Sequence, residues 1–194
     1  MSSADETALR HCLVHDSAIG LLAQFETLLQ AIRLSASDAL VAKSSIIPHS
    51  TIGKHLRHVL DHFTLIYKHM PTPVGKDVPA GRWTIDYDSR QREILTEQNI
   101  EAADSAIRSV KTLIRSCQMQ IALTTPVVVR AQTGPDKPRS ELLSTYGREL
   151  WFATNHAIHH AALVRVLCFE QHIPLPPTFG VAPSTLDYLA KHTE

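Results

Sequence analysis

Apolar residues recur at steps of three and four through four separate stretches of the chain, the repeat that gathers them on one face of an α-helix. Over 5–34 the series is Leu9, Cys12, Leu13, Ile19, Leu22, Phe25, Leu28, Leu29 and Ile32. Over the second stretch it is Ile52, Leu56, Val59, Leu60, Phe63, Ile66 and Tyr67, with Ser50 or Thr51 placed to cap the helix and Pro71 and Pro73 beyond its end. A long third helix is predicted over 86–122, its stripe running from Ile94 through Ile100, Ala103, Ile107, Val110, Leu113 and Ile114 to Cys117. A fourth covers 144–169, where Phe152, Leu163 and Leu167 share a face.

Between the third and fourth helices the period changes. Pro126 to Arg130 is β-branched, Gly134 to Pro138 carries turn residues, and a β-hairpin is predicted over 124–143. Residues 35–49 read as a connection, 71–85 as a Pro- and Gly-rich loop, and the tail from Ile173 as proline-rich with room for one helical turn. The expected fold is all-α: a four-helix bundle with a small β-hairpin between helices 3 and 4. It forms a single domain over 1–194.

Composition narrows the setting. Lysine plus arginine equals aspartate plus glutamate, at 19 each, with no long run of either sign. That excludes nucleic acid and an acidic membrane surface as main partners. Cys12, Cys117 and Cys168 are far apart and fit free thiols in a reducing compartment. The N-terminus lacks an apolar core, and no apolar run reaches the length of a membrane span, so a soluble, cytoplasmic chain is expected. Histidine is the unusual component, with 12 residues.

Three of them, His156, His159 and His160, lie on the fourth helix. At four residues apart, His156 and His160 point within about 40° of each other, so their ring nitrogens can meet at one metal ion. Phe152, Leu163 and Leu167 place the pair on an apolar stripe, and Glu149 falls on the same face about two turns earlier. A third ligand is available from the second helix, where His55, His58 and His62 flank the apolar arc. Spacing does not choose among these three, though His55 and His62 point slightly nearer the arc. Three imidazoles would leave a coordination position open, as catalytic sites do. His11 and His15, with Glu6, Arg10 and Asp16 around them, are expected at the surface, and so is Glu97 near the third stripe. Ala157 follows His156, so the HExxH of zinc proteases is absent, as are the P-loop, GxGxxG and GxSxG.

The segments TIGKHLRHVLDH at 51–62 and RELWFATNHAIHHAALVRV at 148–166 resemble the DinB-like family of metal-binding four-helix-bundle proteins. In that family the first motif reads roughly Ile-Gly-x-His-Leu-x-His, its last histidine a ligand, and the second reads His-x-x-His-His. The resemblance implies that His58, His156 and His160 hold one divalent ion, with Zn, Ni, Fe and Mn as candidates. His159-His160-Ala161-Ala162-Leu163 departs from the His-His-Arg-Gly-Gln common in the family. Characterised members include thiol S-transferases using bacillithiol or glutathione and a mycothiol-dependent isomerase. A metal-dependent thiol S-transferase or hydrolase is therefore implied, activating a low-molecular-weight thiol or water. His55, His62, His159 and Glu149 are its candidate catalytic groups. The alternative is a non-catalytic, metal-stabilised bundle serving as a binding or interaction protein. A homodimer is expected from surplus apolar surface on the first and third helices and from the habits of resembling proteins.

Overall fold

The first apolar stripe folds as α1 (Ser3–Ser35), which buries Leu22, Phe25, Leu29 and Ile32. The computed structural model describes residues 3–35, 38–71, 83–89 and 94–192, with side chains described from residue 11 onward. α2 (Ile52–Tyr67) lies along α4 (Tyr146–Glu170), and α1 packs on both α3 (Ile100–Gln118) and α4. Helices α2, α3 and α4 each begin on a side-chain cap. Thr51 accepts from the amide of Lys54, Asn99 from that of Ala102 and Thr145 from that of Arg148. Each satisfies an amide the helix cannot, worth about 1 kcal/mol.

Strand β2 (Pro126–Ala131) pairs antiparallel with β3 (Ser140–Thr145), Val129 standing opposite Leu142. A further strand, β1 (Thr84–Asp86), pairs parallel with the other edge of β2, with Ile85 opposite Val129. Parallel neighbours need a long crossover, and α3 lies within it. After the hairpin and α4, the tail forms α5 (Pro183–His192), with proline at the first helical position where its missing N–H costs nothing.

These elements overturn the expected all-α four-helix bundle. The described residues form five helices and a three-stranded mixed sheet of order β1-β2-β3. The third helix is also shorter than 86–122. A 3₁₀ turn (Leu95–Glu97) precedes it, and Asn99 restarts the chain as α3. The tail carries ten helical residues rather than one turn. The loop expected over 71–85 lies mostly outside the described residues.

Helix α4 departs from its expected orientation as well. Its buried face is Leu150, Ala153, Ala157, Ala161 and Val164, so His156 and His160 sit half-buried at the edge of that face. Exposed large apolar side chains fall on α4 (Trp151, Val166, Phe169), the hairpin (Leu142, Leu143) and α5 (Tyr188, Leu189), and also on α1 (Leu13, Leu34) and at the end of α3 (Met119).

Gly53 marks a close approach. A Cβ there would lie 1.9 Å from the carbonyl oxygen of Glu97, because the 3₁₀ turn crosses directly over α2. Gly53→Ala must push backbone apart and is expected to cost at least the 1–3 kcal/mol, roughly, of overpacking. A urea unfolding midpoint equal to wild type would show that the two segments do not pack this way.

Candidate metal centre

Because α2 and α4 lie side by side, their histidines face one another across a single seam. His58 Nε2 is 2.9 Å from His156 Nε2, and His160 Nε2 is 3.1 Å from the same atom. His62 joins them, its ring centroid 4.2 Å from that of His156. His58, His62 and His156 each place one ring nitrogen within 4.8 Å of the others, so a group of three histidines that could hold a metal ion is present. His55 completes the row on α2, with Nδ1 2.7 Å from Nδ1 of His160 and Nε2 2.6 Å from Ser50 Oγ. His159 is exposed, and its ring stands 5.3 Å from that of His160.

Spacing alone left His55, His58 and His62 open, and the structure brings all three to the seam. Their settings differ. His62 is buried and donates from Nδ1 to the carbonyl of His58, one turn back, which leaves Nε2 as its acceptor. His160 has its pKa lowered to about 3, first by burial and then by His156 and His55 beside it. Burial likewise lowers His55, with His159 adding to the effect. Both rings therefore keep a lone pair available at neutral pH.

Glu149 does not touch a histidine. It is fully buried and accepts from Tyr87 Oη at 2.8 Å, Ser144 Oγ at 2.6 Å and Arg148 at 2.8 Å. Its link to the seam runs through Tyr87, whose ring stacks on His62 at 5.0 Å and 17°. Burial, then the neighbouring carboxylate, drives the Tyr87 pKa upward, so the phenol stays a donor. Phe152 stacks on His156 at 5.8 Å, and the guanidinium of Arg148 lies 5.0 Å over Phe152. Tyr87 and Phe152 thus wall one side of the histidines. Sequence reasoning missed Tyr87 because its partner lies 62 residues away and nothing local marks the pairing.

Two other expectations are corrected. Glu97 is buried, with Oε1 2.5 Å from Nε of Arg57, because the 3₁₀ turn carries it onto α2. His15 is fully buried rather than on the surface. It donates from Nδ1 to the His11 carbonyl and accepts at Nε2 from Tyr146 Oη at 2.9 Å, which in turn lies 2.9 Å from Tyr67 Oη. His11 is half-buried and reaches the carbonyl of Gln118.

His15 has its pKa lowered, chiefly by burial, so the folded chain prefers it neutral while the unfolded chain protonates it near pH 6.5. The unfolded state then binds more protons, and stability falls as pH drops below about 6.5. His15→Leu should lose about 1–3 kcal/mol by leaving the buried Tyr146–Tyr67 hydroxyl pair one acceptor short, and should show a shallower acid decline. Urea unfolding between pH 7.5 and 5 checks both.

The remaining thiols are quiet. Cys117 and Cys168 are buried, and burial pushes the Cys168 thiol up to about 12. Among the described residues no helix is long and apolar enough to cross a membrane.

No family model matches the sequence. No solved structure matches it significantly. The chain is similar to FK506-binding protein 5 of Rhizopus delemar, with 30% identity over 177 residues, 91% of this chain. It covers 38% of that relative's length, so most of the relative lies outside the match.

Proposed function

We propose that this chain is a DinB-like metal-dependent enzyme, a thiol S-transferase or hydrolase, with His58, His156 and His160 as ligands. One observation carries the reading. His156 Nε2 has two other imidazole nitrogens, of His58 and His160, at 2.9 and 3.1 Å. A ring nitrogen has either one hydrogen or one lone pair, so it can make one good hydrogen bond, not two. Lone pairs converging on a cation satisfy all three at once. These two separations approach the roughly 3.3 Å edge of a tetrahedron with ligands 2.0–2.1 Å from zinc, and the rings of His58 and His160 stand 4.5 Å apart, centre to centre.

Imidazoles suit a borderline divalent ion, Zn or one of Ni, Fe and Mn. When bound, such an ion lowers the pKa of a coordinated water or thiol toward neutrality. The chain's own part is to favour the neutral ring at His160 and His55, to orient the histidines and to wall the approach with Tyr87 and Phe152. Arg148 is paired with Glu149 on one side but remains exposed over Phe152, so its other N–H groups can meet the carboxylate of an anionic small-molecule thiol. A small-molecule thiol and an electrophile are thus the substrates we would screen with metal-loaded protein. Release of a thioether product that requires both His58 and the metal is the expected result; turnover that persists in a metal-free His58→Ala protein would contradict it.

A second reading is favoured by His62, which places a ring nitrogen within 4.8 Å of those of His58 and His156. Four histidines would close the coordination sphere and make the metal structural, in a binding protein. Titration with a small thiol separates the two in cobalt-loaded protein. Direct sulfur coordination produces an intense near-ultraviolet charge-transfer band in the enzyme reading, and no change in the closed one. The similarity to an FK506-binding protein makes FK506 a third compound to titrate. The homodimer also belongs to this proposal, and sedimentation at the 21.5 kDa of one chain would count against it.

A further inference from the structure

Building on the metal-centre reading above, we propose that His55 is a positioning residue for His160. It accepts the Nδ1 hydrogen of His160 and donates in turn to Ser50, which fixes the His160 Nε2 lone pair toward His58 and His156.

Nδ1 of His55 and Nδ1 of His160 are 2.7 Å apart, a hydrogen-bond length, so one carries the hydrogen and the other the lone pair. The hydroxyl of Ser50, 2.6 Å from His55 Nε2, can donate or accept and leaves the choice open. The other side of His160 decides it. Its Nε2 points at the convergence with His156, 3.1 Å away, where a ligand must present a lone pair. The hydrogen of His160 therefore sits on Nδ1 and is donated to His55. His55 then carries its own hydrogen on Nε2 and gives it to Ser50 Oγ.

The end of this relay is anchored. Ser50 is buried in the connection before α2, where its carbonyl accepts from the amide of Ser44 and its amide donates to Ile47. Ser44 Oγ and both the amide and Oγ of Ser45 donate to the carboxylate of Glu170, at the last turn of α4. The helix that carries His160 thereby holds, at its far end, the loop that orients His160. The contrast with His62 is instructive. That ring spends its Nδ1 hydrogen on the carbonyl of its own helix, whereas His160 spends it on a side chain from another element. Ligand histidines are commonly held through their second nitrogen, and losing that hold typically costs 10–100-fold in affinity, roughly.

The test is cobalt affinity of the full chain, by chelator competition, together with the visible spectrum of the bound ion. His55→Leu should bind roughly 10–100-fold more weakly, with an altered spectrum. His55→Asn places an amide oxygen where Nδ1 stood and should restore most of the affinity and the wild-type bands. A His55→Leu protein with wild-type affinity and spectrum overturns the inference and leaves the metal reading intact. Wild-type protein that binds no cobalt overturns both. Ring nitrogen–proton spectra of zinc-loaded wild type give a second measurement that needs no variant to fold. Hydrogens on His160 Nδ1 and His55 Nε2 are expected, and one on His55 Nδ1 would contradict the relay.

Discussion

His58→Ala and His156→Ala should each strip the metal from an otherwise folded protein. Either change removes a direct ligand, so the loss should exceed the roughly 10–100-fold typical of disturbing a ligand's supporting bond. His156 should be the more damaging, because its Nε2 lies 2.9 Å from that of His58 and 3.1 Å from that of His160. Neither ring is part of the apolar core, and both are only half-buried, so unfolding should be little affected in the metal-free state. His160→Ala and His62→Ala then separate the two ligand sets. Loss at His160 with retention at His62 is the outcome the enzyme reading predicts, and loss at His62 alone would favour the His58–His62–His156 group. His69→Ala is a sound control, since that residue is exposed beyond the end of α2. His15 is not, because it is buried under Tyr146.

Glu149→Ala should produce the second large effect, and it should appear in stability. The carboxylate is fully buried and accepts from three side chains, and hydrogen bonds to a charged group are worth about 1.5–3 kcal/mol each. Arg148 is largely exposed and regains water when its partner goes, so its share is discounted. The buried phenol of Tyr87 has no such recourse. A net loss of about 2–4 kcal/mol follows, read as a lower urea midpoint. Tyr87 should also lose its fixed stacking on His62, so the variant should show greater exposure of tyrosine to a fluorescence quencher. A midpoint within about 0.5 kcal/mol of wild type, the range of ordinary surface changes, would contradict the role assigned to Glu149.

The parts of this molecule that were legible in the sequence are those governed by local periodicity. Leu56, Val59, Phe63 and Ile66 announce α2, and the run Val127–Val129 followed by Gly134 and Pro135 announces the hairpin. What stayed hidden depends on distant pairing. β1 is three residues long and exists because β2, more than 40 residues on, offers it an edge. The buried face of α4 was misjudged because its core residues are alanines, Ala153, Ala157 and Ala161, which add little to an apolar pattern. Phe152 and Leu163 drew attention instead, yet both are only half-buried.

The site divides the same way. Histidines at spacings of three and four on two helices marked the seam, since helical geometry alone puts them on one side. Their roles within it were not marked. His55 is distinguished from His58 by its contacts to Ser50 and His160, and Glu149 from a ligand partner by Tyr87. His11 and His15 show the converse error. Charged neighbours in sequence suggested solvent, but Tyr146 covers His15 from 131 residues away.

Metal content by elemental analysis decides whether an ion is held between α2 and α4. Wild type, His58→Ala, His156→Ala, His160→Ala and His69→Ala would be loaded with zinc, passed through a desalting column and measured per chain. One ion is expected in wild type and His69→Ala, and almost none in the three triad variants. Full occupancy in all three would mean that no ion is held between α2 and α4, and the proposed enzyme would fall with it.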